Sequence, residues 1–308
     1  MKNLFLAFII MLASCKTVEE SSTVKILEVN PNYFSQDNLL QKITKETHEI
    51  NGKETLCYVI KSNSMADDHE MGPWCPRTIE DSKEKGGIWF KDGKVYDVSG
   101  HFITTLAEFY SDDKWKLYRE DGTVKYTATK EGCLAAAKPD VEEAYQNFCV
   151  ECLPEYFKHQ ETTFIIPVKP VYYTSTEKFR RNAVGVALNG VKYDPPAPLH
   201  AILKAHTLAP LDDHGGHVNP HGGYHYHAAT GSTKEIAQSD NHAPLIGYAM
   251  DGFAIFGLED KQGNKSESLD ECGGHIDEVR GYHYHAGAPG SNQIIKGFRG
   301  ATVVSSED

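Results

Sequence analysis

The 308-residue chain is 40% hydrophobic and 10% aromatic, which is enough apolar content for one large domain or two ordinary ones and too much for a disordered tail. Its 31 Lys and Arg against 43 Asp and Glu leave a formal net charge of −12. With no Lys- or Arg-dense segment to track phosphates, nucleic acid is excluded as the main partner.

The chain begins "MKNLFLAFIIMLASCK": Lys2, an apolar run from Leu4 to Leu12, then small residues and a cysteine. The run falls well short of the ~20 apolar residues needed to span a bilayer, so it reads as an export signal. "LASC" (Leu12 to Cys15) resembles the bacterial lipoprotein signal, whose cysteine is lipidated and becomes the mature N-terminus. An ordinary secretory signal with a chance cysteine is the alternative. The organisation expected is a signal over 1–15, a polar tether over 16–24, a domain over 25–300 and a tail over 301–308. A lipid anchor at Cys15 would hold the mature protein on a membrane, periplasmic or at the cell surface.

Six cysteines remain: Cys57, Cys75, Cys133, Cys149, Cys152 and Cys272. An even number in an exported chain favours disulfides, with connectivity left open. "CVEC" (Cys149 to Cys152) lacks a second CxxC and a thioredoxin-like context, which favours structural bonding over a redox or zinc pair.

From about Ser22 to Leu106 short apolar–polar alternations such as "ETLCYVIKS" predict a mainly β region. "KDGK" (Lys91 to Lys94) and "EDGT" (Glu120 to Thr123) are Asp-Gly turns suited to hairpins. "PDVEEAYQNFCVEC" predicts a helix, opened by Pro139 and Asp140 with Val141, Ala144, Tyr145 and Phe148 on one face. The stretch from about 111 to 156 reads as a small α+β insert. "TFIIPVKP" and "AVGVALNGVKYDPPAP" are further β-type runs closed by Pro or Asn-Gly. The fold class expected is mainly β, a sandwich or distorted barrel carrying that insert.

Nine of the fifteen histidines lie between His214 and His285. "GGHVNPHGGYHYHA" (Gly215 to Ala228) aligns with "GGHIDEVRGYHYHA" (Gly273 to Ala286) at a constant offset of 58, with nine of fourteen positions identical. Such agreement reads as an internal duplication. On a strand, Tyr-His-Tyr-His sends His225 and His227 to one face and Tyr224 and Tyr226 to the other. Residues two apart are separated by ~6.6 to 7 Å at Cα, and leaning imidazoles can share an ion at ~2.0 to 2.1 Å per bond. His217 and His275 supply a third imidazole to each copy, behind Gly-Gly. His221 is matched by Val279 and reads as incidental. The expected ligand sets are His217, His225 and His227, and His275, His283 and His285, with Asp213 and Glu271 as nearby carboxylates that accept an imidazole N–H or act as general base. Solvated or tyrosine-bonded histidines are the bland alternative, which duplication with a third histidine in register disfavours.

These blocks, with "PLIGYAMDGFAIFG" (Pro244 to Gly257), "LDECGGH" (Leu269 to His275) and "GFRG" (Gly297 to Gly300), resemble the YHYH-domain proteins, found largely among exported bacterial proteins. "ADDHEMGPW" (Ala66 to Trp74), "TFIIP" and "GVALNGV" (Gly185 to Val191) are similar as well, so the resemblance covers most of the mature chain outside the insert. It implies an extracytoplasmic location and site residues in these motifs, and brings no reaction with it. Asp251, Arg299 and His69 are further candidates from the same segments. Each has a commoner role: Asp-Gly turn, surface salt bridge and solvated acidic loop respectively.

Imidazole ligands suit zinc or copper, with iron also compatible. The expected function is an extracytoplasmic metal-binding lipoprotein, with a metal-dependent hydrolase or oxidoreductase as its catalytic form. The alternatives are a non-catalytic metal-handling protein, or a surface recognition module in which Tyr226 and Tyr284 face an unknown small molecule or surface ligand.

Overall fold

A computed structural model describes residues 24–179 and 183–303. The export signal expected over 1–15 with Cys15, almost all of the expected tether and the end of the expected tail lie outside the described residues. Among those described, no helix is long and apolar enough to cross a membrane.

The chain is mainly β. Strands β1 (Thr44–Ile50) and β2 (Lys53–Asn63) form a hairpin, and β3 (Ile88–Lys91) and β4 (Lys94–Asp97) form another around the Asp92-Gly93 turn. Two helices follow, α1 (Gly100–Tyr110) and α2 (Lys130–Ala136), then β5 (Glu161–Pro167), β6 (Gly185–Ala187) and β7 (Lys192–Tyr193). After α3 (Leu199–Lys204) come β8 (Gly216–Asn219), β9 (Gly223–Tyr226), β10 (Leu245–Ala249), β11 (Ala254–Phe256), β12 (Gly274–Asp277) and β13 (Gly281–His285).

Eight of these strands make one sheet in the order β12-β13-β11-β10-β6-β7-β9-β8. Its two halves have the same connectivity. In each, an antiparallel pair (β6–β7, β10–β11) is followed by a hairpin (β8–β9, β12–β13) whose second strand joins the first pair in parallel. The halves meet where β6 and β10 run antiparallel. Glycine is required at that junction: a Cβ on Gly185 would lie 2.5 Å from the Tyr248 carbonyl oxygen, and one on Gly247 2.4 Å from that of Val186.

A three-stranded sheet, β1-β2-β5, packs on this large sheet. Tyr58, Ile60, Phe164 and Ile166 form one apolar cluster with Val186, Leu188, Leu245 and Tyr248. The larger core includes Trp74, Val191, Phe253 and Phe298 together with Tyr224, Tyr226, Tyr282 and Tyr284. The arrangement is sandwich-like, and no closed barrel forms among the described residues.

Two local expectations are corrected. The helix expected over "PDVEEAYQNFCVEC" is reduced to a 3₁₀ turn at Glu143–Tyr145. Asn147 turns left-handed at φ 64°, and Cys149 is drawn into bridges with Tyr126 and Leu208. Conversely α1, in a stretch that reads as β, is capped by Ser99 and buries Phe102, Ile103 and Leu106 at helical spacing. The six cysteines are also not all bonded: Cys75 pairs with Cys149 and Cys133 with Cys152, while Cys57 and Cys272 are free and buried. The two cysteines of "CVEC" thus hold different partners: one bond ties the 111–156 stretch to Cys75, and the other closes a loop within it.

Candidate metal centres

The hairpins at the two edges of the large sheet carry the histidines. In each, Asp-x-x-Gly-Gly leads into the first strand. The Asp212 Oδ1 accepts from the backbone N–H of His214 and Gly216, and Asp270 Oδ1 accepts from those of Cys272 and Gly274, all at 2.9–3.0 Å. Gly215 and Gly273 adopt φ of 84° and 85°, a conformation glycine reaches without strain. A Cβ on Gly216 would stand 2.5 Å from the Tyr224 ring, and one on Gly274 2.3 Å from the Tyr282 hydroxyl. The Gly-Gly pair is therefore one residue for the turn and one to admit a tyrosine.

The antiparallel register sets His217 opposite His225 and His275 opposite His283. Since side chains of paired residues share a face, each hairpin gathers three imidazoles, the third coming two residues on (His227, His285). The alternate positions go inward: Tyr224, Tyr226 and Tyr284 have no more than 0% exposure and Tyr282 3%. Tyr224 donates to Asp212 at 2.7 Å and Tyr282 to Asp270 at 3.0 Å. Tyr226 meets Asn189 at 2.8 Å, and Tyr284 donates to Asp251 at 2.5 Å. A recognition surface formed by Tyr226 and Tyr284 is thereby ruled out, because both are core.

In the first centre the Nδ1 of His225 donates to the Gly223 carbonyl (2.9 Å) and that of His227 to the Pro195 carbonyl (2.7 Å). His217 is tied to the backbone of Ala209. A carbonyl only accepts, so each bonded Nδ1 carries the proton and each Nε2 presents a lone pair. The Nε2 atoms of His225 and His227 nonetheless face each other at 3.1 Å. The Asn219 amide N–H₂ also faces His225 Nε2, at 3.2 Å. The second centre repeats the pattern with a fourth imidazole, His242, from the loop before β10. The Nδ1 atoms of His242, His283 and His285 donate to the carbonyls of Ala243, Gly281 and Gly257 at 2.9–3.0 Å. Nε2–Nε2 separations are 2.9 Å (His275–His283), 3.1 Å (His242–His283) and 3.3 Å (His275–His285).

Burial holds these imidazoles neutral. It pushes His217 and His283 down to about 3 and His285 to about 4, and lowers His225, His227, His242 and His275 as well. Neutral nitrogen lone pairs aimed at one another at ~3 Å repel unless a cation lies among them. Ligands at ~2.0 to 2.1 Å in a tetrahedron are themselves about 3.3 Å apart, so the spacing fits a bound transition ion. Both groups could hold a metal: His217, His225 and His227 in one, and His242, His275, His283 and His285 in the other. They stand five strand spacings apart, on the order of 24 Å at ~4.8 Å each, and so cannot share one ion.

The other sequence candidates fall elsewhere. Asp213 and Glu271 are exposed and outside both groups. Asp213 is engaged through its carbonyl by Thr230, and Glu271 lies 3.5 Å from Arg299. Arg299 is bonded to Asp270 at 2.7 Å and to the Thr174 carbonyl at 2.6 Å, beside the tyrosine layer. Asp251 is buried and accepts from Tyr284 and the backbone of Phe253 and Gly300. His69 bonds Asp68 and Tyr224 and stacks on His214 at 3.6 Å. With Asp212 these two histidines form a third close group, but both Asp212 oxygens are already saturated by Gly72, His214, Gly216 and Tyr224. His221 reaches neither centre.

Four side chains at or beside the two groups escaped the sequence reading. His242 lies outside the aligned blocks, and only the fold brings it to β12–β13. Asp194, in "YDPPAP", has its Oδ2 3.6 Å from His225 Nε2 and its Oδ1 2.8 Å from Lys192. Asp212 and Asp270 did leave a signal: they share the 58-residue offset, one position before Asp213 and Glu271.

A family model described as YHYH protein matches residues 163–267. The matched segment spans the first centre and His242 and ends before His275. The curated proteins and the solved structures yielded no match to this chain.

Proposed function

We propose that this protein is an extracytoplasmic metal-binding protein with one transition ion at each edge of its sheet, tethered by a lipid on Cys15. The observation that carries this is the geometry of the imidazoles: the Nδ1 protons of His225, His227, His242, His283 and His285 are committed to backbone carbonyls, and the ligand nitrogens of each group converge. Carbonyl-oriented imidazoles are the usual support of metal-ligating histidine. Zinc or copper suits all-imidazole ligand sets, with iron compatible. The repeated strand connectivity supports duplication of a four-stranded unit as the origin of the two centres. A three-imidazole centre leaves a coordination position open, as in catalytic sites, whereas four imidazoles complete a tetrahedron, as in structural ones. The first centre is therefore the place for metal-dependent hydrolysis or oxidation, and the second holds its hairpin together. A metal-handling role without turnover is the runner-up reading.

Elemental analysis of protein purified without an affinity histidine tag tests this. Two ions per chain are expected in the wild type and one in each of the double variants His225→Ala/His227→Ala and His283→Ala/His285→Ala. A wild type free of stoichiometric metal after reconstitution with zinc and copper would sink the reading. Panels of hydrolase and oxidase substrates then separate catalysis from storage.

A further inference from the structure

The two centres differ in what lies above them. Over the first is a cavity of about 310 Å³, lined by His217 and His227, Trp74, Pro195, Ala201 and Ile202 among others. Over the second, His242 occupies the position a ligand would take, and the Ser266 hydroxyl closes on His285 Nε2 at 2.9 Å. We propose that the cavity is a binding site for a small, uncharged molecule with an apolar body and a single amide- or hydroxamate-like head directed at the three imidazoles. The proposal rests on the reading of the first centre as a metal site and names the class of ligand that site takes.

Shape and lining set the body. The walls are contributed by the 111–156 stretch, by the Pro195–Pro198 turn and by α3, and they are predominantly apolar, which favours an aliphatic or aromatic group. Charge sets the head. Lys138 in the lining is paired with Glu142 at 2.8 Å, and the lining Glu151 is paired with Arg77 at 2.7 Å. Neither leaves an unpaired side-chain cation for an anionic ligand, so the only positive charge at the head is the ion itself. Asp194 also lines the cavity, oriented by Lys192 and only partly exposed, so a head carrying a second negative charge would meet a carboxylate. An N–H or O–H on the head satisfies Asp194 as acceptor, while the head's carbonyl oxygen is the donor for an ion held by the imidazoles. An amide or hydroxamate offers both groups side by side.

Calorimetric titration of zinc-loaded protein with benzohydroxamic acid, acetohydroxamic acid and benzoate tests the proposal, with zinc content measured on the same samples. Benzohydroxamic acid should bind at least tenfold more tightly than acetohydroxamic acid, since burying a phenyl-sized group contributes roughly a factor of ten or more, and more tightly than benzoate, which has the same ring but no N–H or O–H for Asp194 to accept. Ala201→Phe, on the cavity face of the short helix α3, should keep both ions and lose that preference. Equal binding of the two hydroxamates, equal binding of benzoate, or wild-type selectivity in Ala201→Phe at full zinc content would overturn the cavity proposal and leave the metal reading standing. Absence of zinc at the first centre would sink both.

Discussion

Asp251 and Asn189 occupy corresponding places in the two halves of the sheet, each at an Asx-Gly turn and each bonded to the second tyrosine of a Tyr-His-Tyr-His run. Burial pushes the Asp251 carboxyl up to about 6, against the hydrogen bonds from Tyr284, Phe253 and Gly300 that favour its ionised form. In the unfolded chain the group loses its proton near 4, so between pH 4 and 6 the folded state binds more protons and stability falls as pH rises. The size of that fall is about 3 kcal/mol at one pKa unit per 1.36 kcal/mol. Asp251→Asn should abolish this part of the slope, which urea titrations of both proteins at pH 4 and 7 would reveal as a shrinking difference in midpoint. Tyr284→Phe removes a donor from the same carboxylate and should cost about 1 to 3 kcal/mol. The two free thiols give a further check. Burial pushes Cys57 up to about 11 and Cys272 to about 12, so neither should react with a thiol reagent at pH 8 until the protein is unfolded.

At the scale of an element, the hairpin is the unit that makes a centre. Turn, tyrosine anchor and histidine face depend on one register, and a slip of one residue would send the imidazoles into the core and the tyrosines to the opposite face. Gly216→Ala places a methyl group against the Tyr224 ring, 2.5 Å away, with no backbone freedom left by the Asp212 cap. A loss of about 1 to 3 kcal/mol is expected, together with loss of the first ion alone. Thermal unfolding and metal content measured together would show this, and a variant that keeps both ions and its Tm would count against the hairpin as the determinant. The "YHYH" pattern was legible as alternating faces because strand periodicity is two. The 3₁₀ turn replacing the expected helix was not, since its amphipathic spacing is overridden by two disulfides to distant partners and a left-handed Asn147.

Across the whole molecule, the two halves of the large sheet share connectivity yet end in different centres. Loops decide the difference: the one before β10 delivers His242, and the one after β7 delivers Asp194 and the proline-lined cavity wall. The disulfides support that wall, linking residues 74 and 19 apart in sequence. Cys133→Ala/Cys152→Ala should cost about 2 to 4 kcal/mol by the entropy of the opened loop. It should also weaken hydroxamate binding, with both ions retained. Calorimetry with elemental analysis separates the two effects.

What the sequence determined by itself is local and periodic: the Asp-Gly hairpin turns, the division of Tyr-His-Tyr-His into tyrosine anchors and a histidine face, and the register of a third histidine eight residues upstream. Those follow from strand periodicity and turn chemistry, which act over a few residues. Tertiary structure alone decided that His242 joins the second centre, that Asp194 rather than Asp213 stands beside the first, and which four of the six cysteines pair. Each of these depends on residues brought together from different strands and loops, and no spacing along the chain encodes that proximity.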